Sequence, residues 1–449
     1  MKLAILGGGG FRVPLVHGAV LDQMGPEDGT RIDEIWLHDV SSERLDTMVR
    51  VLRGQVAGRP GAPSLHATIS LPEAVAGADF VFSAIRVSGL EGRCCDERVA
   101  LDMGLLGQET TGAGGLIYGL RTLPEAMRIA RVVAEEAPGA WVINFTNPAG
   151  MITQAMQQVL GPRVIGICDS PIGLGRRAAQ ALGLDPAATR FGYSGLNHLG
   201  WLQSLTVQGR DVLPDLLARP DLLKGTEEGR LFGPEWLGML GAIPNEYLYY
   251  YYFNRDAVAA IRGAAETRGE YLRRTQAQFY RDAAASDDPY RVWVEAHHGR
   301  DASYMAEARA EGEERDEADM AAGGYEGVAV AIMRAISAGE RASIILNVRN
   351  GSALAGLPAD AVVEVPCVVD GSGPVPLEPE QLTGHMLGLA ATVKECEMGI
   401  ISAAERGSEA EAIRALAIHP LVDSVTSAKK LLAGYRAAVP EVEAVFSGR

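Results

Sequence analysis

The chain has 449 residues, 47% of them hydrophobic and 22% charged, the profile of a soluble globular protein long enough for two domains. Its 41 basic and 57 acidic residues give a formal charge of −16, which excludes nucleic acid as a partner, because phosphate backbones are met by basic footprints. An anionic small molecule would have to be drawn in by a local positive site against that field.

The N-terminal "MKLAILGGGG" is a strand running into glycines and has no signal-peptide cleavage pattern. No apolar run reaches the roughly 18 residues that a membrane span needs, so no membrane partner is expected. The cysteines Cys94, Cys95, Cys168, Cys367 and Cys396 are odd in number and follow no disulfide framework. A reducing, cytoplasmic setting is the expectation.

In chain order, "KLAIL" reads as a buried strand and "VPLVHGAVLDQM" as a helix. "DEIWLHDV" follows as strand, "SERLDTMVRVLRGQV" as helix, and "DFVFSAI" as strand. "LPEAMRIARVVAEEAP" reads as a helix with Pro124 in its first turn, and "AWVINFT" and "RVIGIC" as further strands. Alternation of this kind predicts an α/β fold with a Rossmann-type, mostly parallel sheet covered on both faces. After Phe191 the texture changes: "GLNHLGWLQSLTVQG" can form a hairpin, and "NEYLYYYYFNRDAVAAI" and "TRGEYLRRTQAQFYRDAA" read as long helices. "ASIILNVRNGS" and "AVVEVPCVVD" read as strands before a helical tail. The expected domains are residues 1–175 and 176–449, with the boundary inside 165–190. The acidic run "AEARAEGEERDEADM" reads as a solvated helix or loop.

Gly7, Gly8, Gly9 and Gly10 lie between the first strand and the first helix, where a tight turn lets backbone approach a pyrophosphate at the helix N-terminus. The strict G-x-G-x-x-G pattern fails at Arg12. Asp39 closes the second strand, placed to accept the ribose hydroxyls and repel a 2′-phosphate, although its spacing exceeds the usual ~20 residues. NAD is therefore favoured over NADP. Phe11 and Arg12 in the turn, and Glu109 in the polar loop "GLLGQETTGAGG", join these as candidate cofactor contacts.

Ligands of such sheets sit beyond the carboxyl ends of the strands. The residues expected there are Arg86, Asn144, Asn147, Cys168 and Asp169, joined later by Asn197 and His198. The separation of Cys168 from His198 matches no recognised zinc spacing, and two ligands do not close a structural site. Two ligands would leave an open ion, useful only where a substrate completes its shell.

The motifs "GQETTGAGG", "NFTNPAG", "GICDSP", "GLNHLGW", "NEYLYYYY" and "VVEVPC" resemble glycoside hydrolase family 4, the NAD- and divalent-metal-dependent glycosidases, in order from Lys2 to about Pro420. The 6-phospho-β-glucosidase branch is the most similar. The resemblance implies a lactate/malate dehydrogenase-like α+β C-terminal domain that completes the site. It implies Cys168 and His198 as ligands of Mn2+ or another divalent metal and Tyr247 as the catalytic base. Arg86, Asn147 and Arg268 match substrate-contacting positions. The implied chemistry is transient oxidation at sugar C3, deprotonation at C2, elimination, addition of water and reduction. The implied partner is a small (phospho)glycoside, and a homodimer or homotetramer is expected.

Two positions depart from the family pattern. Its glycine turn commonly continues Ser-x-Tyr-Thr-Pro, where this chain has Phe11-Arg12-Val13-Pro14. Asp169 stands where the β-branch typically has Asn; an Asp there resembles the 6-phospho-α-glucosidases, in which it is the acid for the leaving group. A 6-phospho-α-glucosidase or an unphosphorylated α-glycosidase of the same family is thus the alternative. More remote alternatives are a lactate/malate-type NAD dehydrogenase and a non-catalytic regulator that binds NAD or a sugar phosphate.

Overall fold

The computed structural model describes residues 1–25, 29–302 and 324–447. The acidic run at 306–320 lies outside them. Thirteen strands among the described residues form one sheet. They are β1 (Lys2–Leu6), β2 (Glu34–His38), β3 (Ser64–Thr68), β4 (Phe80–Ser83), β5 (Trp141–Asn144), β6 (Val164–Gly166), β7 (Arg190–Leu196), β8 (Leu199–Val207), β9 (Arg210–Asp211), β10 (Ile243–Pro244), β11 (Ala342–Arg349), β12 (Val362–Asp370) and β13 (Gly373–Pro376).

The first six strands are parallel in the order β3-β2-β1-β4-β5-β6, the 3-2-1-4-5-6 order of dinucleotide-binding folds. The sheet then continues antiparallel through β11, β12, β7, β8 and β10. Residues from both expected domains thus share one hydrogen-bonded sheet. Alternate side chains serve opposite faces: Leu3, Ile5, Phe80 and Phe82 join one core cluster, Ala4, Leu6 and Val81 the other. Burial on both faces explains why these strands read as unbroken apolar runs.

Three expectations need correction. The helix expected to start near Pro124 runs over Gly112–Glu136, with Pro124 in its interior. "GAGG" is therefore the first turn of this helix, not the end of a loop. The loop before it folds back so closely that a Cβ on Gly114 would lie 2.3 Å from the Gln108 carbonyl oxygen, and one on Gly115 2.5 Å from Thr110 backbone. These glycines answer a packing demand that looks like loop composition. The tyrosine stretch is not one long helix. Asn245 Oδ1 accepts the Tyr247 N–H at 3.1 Å and starts a 3-10 turn, Glu246–Leu248; one helical turn, Tyr249–Tyr252, and a separate helix, Asn254–Gly263, follow. The strand Ser64–Thr68 and the helix Gly89–Leu101 were not anticipated, the first because none of its five residues is buried, the second because its pattern is polar.

Candidate active site

A cavity of about 1390 Å³ opens at the carboxyl ends of the parallel strands. Every site residue expected from the sequence lines it except Gly8 and Gly9, which stay in the turn behind its wall, and Asn144 and Asn197, whose amides bond Thr146, Thr153 and Glu364 instead. Gly7 has φ +81°, and a Cβ there would lie 2.5 Å from the Ala84 carbonyl oxygen, so the turn admits only glycine. Asp39 is held from both sides: Oδ2 accepts the Gly9 N–H and Oδ1 the Ser41 N–H, each at 3.1 Å. Each carboxylate oxygen keeps a further lone pair for a hydroxyl donor.

Distant aromatic residues clamp the outer rim of the turn. Tyr280 donates to the Gly9 carbonyl at 2.5 Å, Trp293 to Phe11 at 2.8 Å and Tyr325 to Arg12 at 3.0 Å. Phe11 packs its ring against Phe279, centroids 5.0 Å apart, so its side chain is largely an anchor for the turn. The Arg12 guanidinium lies over the rings of Phe145 and Tyr325, at 5.6 and 5.2 Å.

Beyond β4, Arg86 meets Glu109 at 2.5 Å, and Arg93 meets the other oxygen of Glu109 at the same distance. Burial alone would raise the Glu109 carboxyl, but the two guanidiniums overcome it and hold it at about 2. Glu109 and Arg86 were expected on cofactor and substrate respectively; the structure pairs them with each other. Arg93, on the unanticipated helix, completes the cluster. Arg268 opens the helix Arg268–Ala285, capped by Thr267 and Glu270, and donates to the Arg300 carbonyl at 3.1 Å.

Cys168 and Asp169 leave the tip of β6, with Asp169 at the N-terminal cap of the helix Ser170–Ala181. Burial, then the negative charges of Glu364 and Asp169, push the Cys168 thiol well above its ordinary range. His198 forms the turn of the β7–β8 hairpin in the left-handed region, φ +61°, a conformation that costs a non-glycine residue about 1–2 kcal/mol. Neighbouring Asn197 secures the turn, accepting from the Ala149 N–H at 3.2 Å and donating to Glu364 at 3.3 Å. His198 Nδ1 bonds Thr110 Oγ1 at 3.1 Å, which leaves Nε2 for a ligand. Its ring stacks on Tyr247, with centroids 3.7 Å apart and planes within 9°. Among the described residues no three His, Cys, Asp or Glu side chains converge as a metal-holding group.

The sequence reading missed several residues of this wall. Glu246, raised to about 7 by burial and then by Glu227, accepts from Ser170 at 2.6 Å. Arg177 forms a buried pair with Glu228. Behind the wall, Glu364, likewise raised to about 7 by burial, gathers Asn347, Asn197 and Tyr193. A lone carboxylate inside the apolar strand "VVEVPC" was the available signal for Glu364.

Burial lowers both His198 and His419 to about 4. Between that value and the ordinary 6.5, the unfolded chain binds protons that the folded chain refuses. The histidines' contribution to stability, fully present above pH 6.5, is therefore expected to fall as pH drops toward 4, while Glu246 and Glu364, raised to about 7, contribute in the opposite direction. The difference in urea midpoint between metal-free wild type and His419→Gln at pH 7, 5.5 and 4.5 isolates the part due to His419, and it should shift against the wild type as pH falls.

The pattern described as family 4 glycosyl hydrolase matches residues 2–184, and that of the family 4 glycosyl hydrolase C-terminal domain matches residues 193–422. The chain is 31% identical over 448 residues to the probable 6-phospho-beta-glucosidase of Bacillus subtilis, covering 96% of this chain and 95% of that protein. The 6-phospho-beta glucosidase of Thermotoga maritima, solved with manganese, NAD+ and glucose-6-phosphate, matches at TM-score 0.81 and 28% identity, covering 98% of this chain and 99% of that one. A 6-phospho-alpha-glucosidase from gut microorganisms, solved with NAD and glucose-6-phosphate, matches at TM-score 0.81 and 27% identity, covering 98% and 97%. Lactate dehydrogenase of Eimeria maxima, at TM-score 0.51, 13% identity and coverage of 90% and 95%, shares the fold alone.

Proposed function

The chain belongs to the family 4 glycosyl hydrolases, and from that premise we propose that it hydrolyses 6-phospho-β-glucosides with the aid of NAD and a divalent metal ion such as Mn2+. The observation that carries this reading is one continuous cavity from the glycine turn and Asp39 to Cys168, His198 and Tyr247. An enzyme that oxidises a sugar before cleaving it needs cofactor and bond-breaking groups in the same space.

The residues fit both groups. Gly7 to Gly10, the N-terminus of the helix Val13–Gln23 and Asp39 would hold the dinucleotide. Cys168 and His198 would hold the ion with coordination positions open to sugar oxygens. Asn147 Oδ1 is buried without a hydrogen-bond partner at this cavity, an acceptor waiting for a hydroxyl donor. When bound, the nicotinamide supplies a reversible hydride acceptor and the ion an electrophile for adjacent sugar oxygens.

The chain's own groups move the protons. Tyr247 Oη takes the proton from sugar C2, its ring angle set by the stack on His198. Asp169 gives a proton to the departing glycosidic oxygen. The usual pair of glycosidase carboxylates is thus replaced by a phenol and one carboxylate. Asp169→Asn should slow a substrate with a poor leaving group by about 10²-fold or more while leaving an aryl glycoside with an activated leaving group within a few-fold. Equal losses on both substrates would remove Asp169 from the acid role.

Asp169 also favours a second reading, 6-phospho-α-glucosidase. A panel of α- and β-aryl glucosides, with and without 6-phosphate, in NAD+, Mn2+ and a thiol reductant tests both. The expected result is aglycone release from the β-6-phosphate without net NADH. Stoichiometric NADH without aglycone release would overturn the glycosidase reading in favour of a dehydrogenase. We expect a cytoplasmic homodimer or homotetramer, which cell fractionation and light scattering test.

A further inference from the structure

Gln108 Oε1 accepts the backbone N–H of Thr110 at 2.6 Å and that of Thr111 at 2.7 Å. Two N–H donors aimed at one atom identify it as the amide oxygen and so fix the orientation of the amide. The Thr110 hydroxyl lies 3.1 Å from the same oxygen, which can only accept, so the hydroxyl donates its single proton there. Its lone pairs are left for the other neighbour, His198 Nδ1, also at 3.1 Å. A hydroxyl already committed in this way can only accept from the imidazole, so His198 carries its proton on Nδ1. In the reverse arrangement, with the hydroxyl donating to Nδ1, two bare oxygens would face each other between Thr110 and Gln108.

Both ends of this relay are held in place. The loop presses on the first turn of the helix Gly112–Glu136, where a Cβ on Gly115 would lie 2.5 Å from Thr110 backbone. His198 is fixed in its hairpin turn at φ +61° by Asn197, which bonds Ala149 and Glu364. Its ring stacks on Tyr247 with centroids 3.7 Å apart. The stack sets the plane of the imidazole, and the Thr110 contact decides which nitrogen keeps the proton. Nε2 offers a lone pair to an ion only when Nδ1 holds that proton.

We propose that Gln108 and Thr110 are positioning residues: the Gln108 amide oxygen orients the Thr110 hydroxyl, and the hydroxyl holds His198 in the Nδ1–H tautomer that presents Nε2 to the divalent ion. This deepens the metal-dependent reading of the site and rests on it. Both residues act through His198 rather than on the sugar.

The test reads the tautomer without metal and the metal affinity separately. Long-range 1H–15N correlation spectra are recorded on metal-free, histidine-labelled protein at about pH 8, where an imidazole is neutral. The His198 signals are assigned by their loss in His198→Gln. Wild-type His198 should show a protonated Nδ1 and a bare Nε2. In Thr110→Val an Nδ1–H would face a methyl group without a partner, so the proton should shift toward Nε2. Mn2+ affinity, measured by calorimetry, should fall about 10- to 100-fold, with NAD+ affinity within a few-fold of wild type. Thr110→Ser should restore both the tautomer and the affinity. Gln108→Met keeps the hydroxyl but frees its proton for Nδ1, so the Nε2–H fraction should rise there too. A wild-type His198 protonated on Nε2 would overturn the proposal, and so would an unchanged tautomer in Thr110→Val. If Thr110→Val fails to fold, as judged by circular dichroism, the wild-type and Gln108→Met spectra decide. Wild-type protein without saturable Mn2+ binding would sink the metal reading instead, while the metal-free spectra would still decide for or against the relay.

Discussion

Replacing Tyr247 by phenylalanine is expected to lower kcat by about 10²–10⁴-fold, the contribution typical of a positioned acid or base. The change removes one oxygen and keeps the ring, so the stack on His198 at 3.7 Å and the capping contact from Asn245 remain. Affinity for NAD+ should stay within a few-fold, since Tyr247 is not among the residues expected to hold the dinucleotide. A substrate deuterated at C2 supplies the second readout. If proton removal there limits the wild-type rate, the label slows it, and the variant should show a larger or fully expressed isotope effect. A Phe variant with full activity would exclude Tyr247 as the base.

Arg121→Met is expected to destabilise the fold by about 3–5 kcal/mol, the usual effect of leaving one member of a buried ion pair alone. Arg121 and Asp96 are both 0% exposed and joined by two bonds, at 2.6 and 2.7 Å. They tie the helix Gly89–Leu101 to the helix Gly112–Glu136, whose N-terminus follows the Thr110 contact to His198. Burial raises Asp96 to about 6 even with Arg121 opposing it; without Arg121 the carboxyl must take a proton or remain as an uncompensated charge. The double variant Asp96→Leu/Arg121→Met should be more stable than the single one, because it removes the stranded charge. Urea unfolding of the three proteins decides it. A loss below about 1 kcal/mol for the single variant would mean that water or another cation compensates Asp96.

Where pattern follows directly from geometry, the fold was open to sequence reading. β1, β2, β4 and β5 are buried on both faces and appear as apolar runs; the helices Val13–Gln23 and Ser42–Gln55 carry one apolar stripe each. Elements whose residues answer a neighbour were not. Gly114 and Gly115 look like loop residues because the Gln108–Thr110 backbone presses on them. Pro124 looks like a helix start because its missing N–H is normally tolerated there, yet the surrounding burial carries the helix through it.

The site divides in the same way. The sequence by itself determined which chemical groups are present and at which strand ends and turns most of them emerge: the glycine turn, Asp39, Asn147, Cys168, Asp169 and His198, with Tyr247 supplied by the family resemblance. Those positions depend on local order along the chain, on a strand ending and a turn beginning. Only the tertiary structure decided what these groups face. It paired Arg86 with Glu109, stacked His198 on Tyr247, and turned the Arg12 side chain away from its own glycine turn onto Phe145 and Tyr325. The physical reason is that contact and charge depend on distance in space, and each of these pairs joins residues separated by more than 20 positions in the chain.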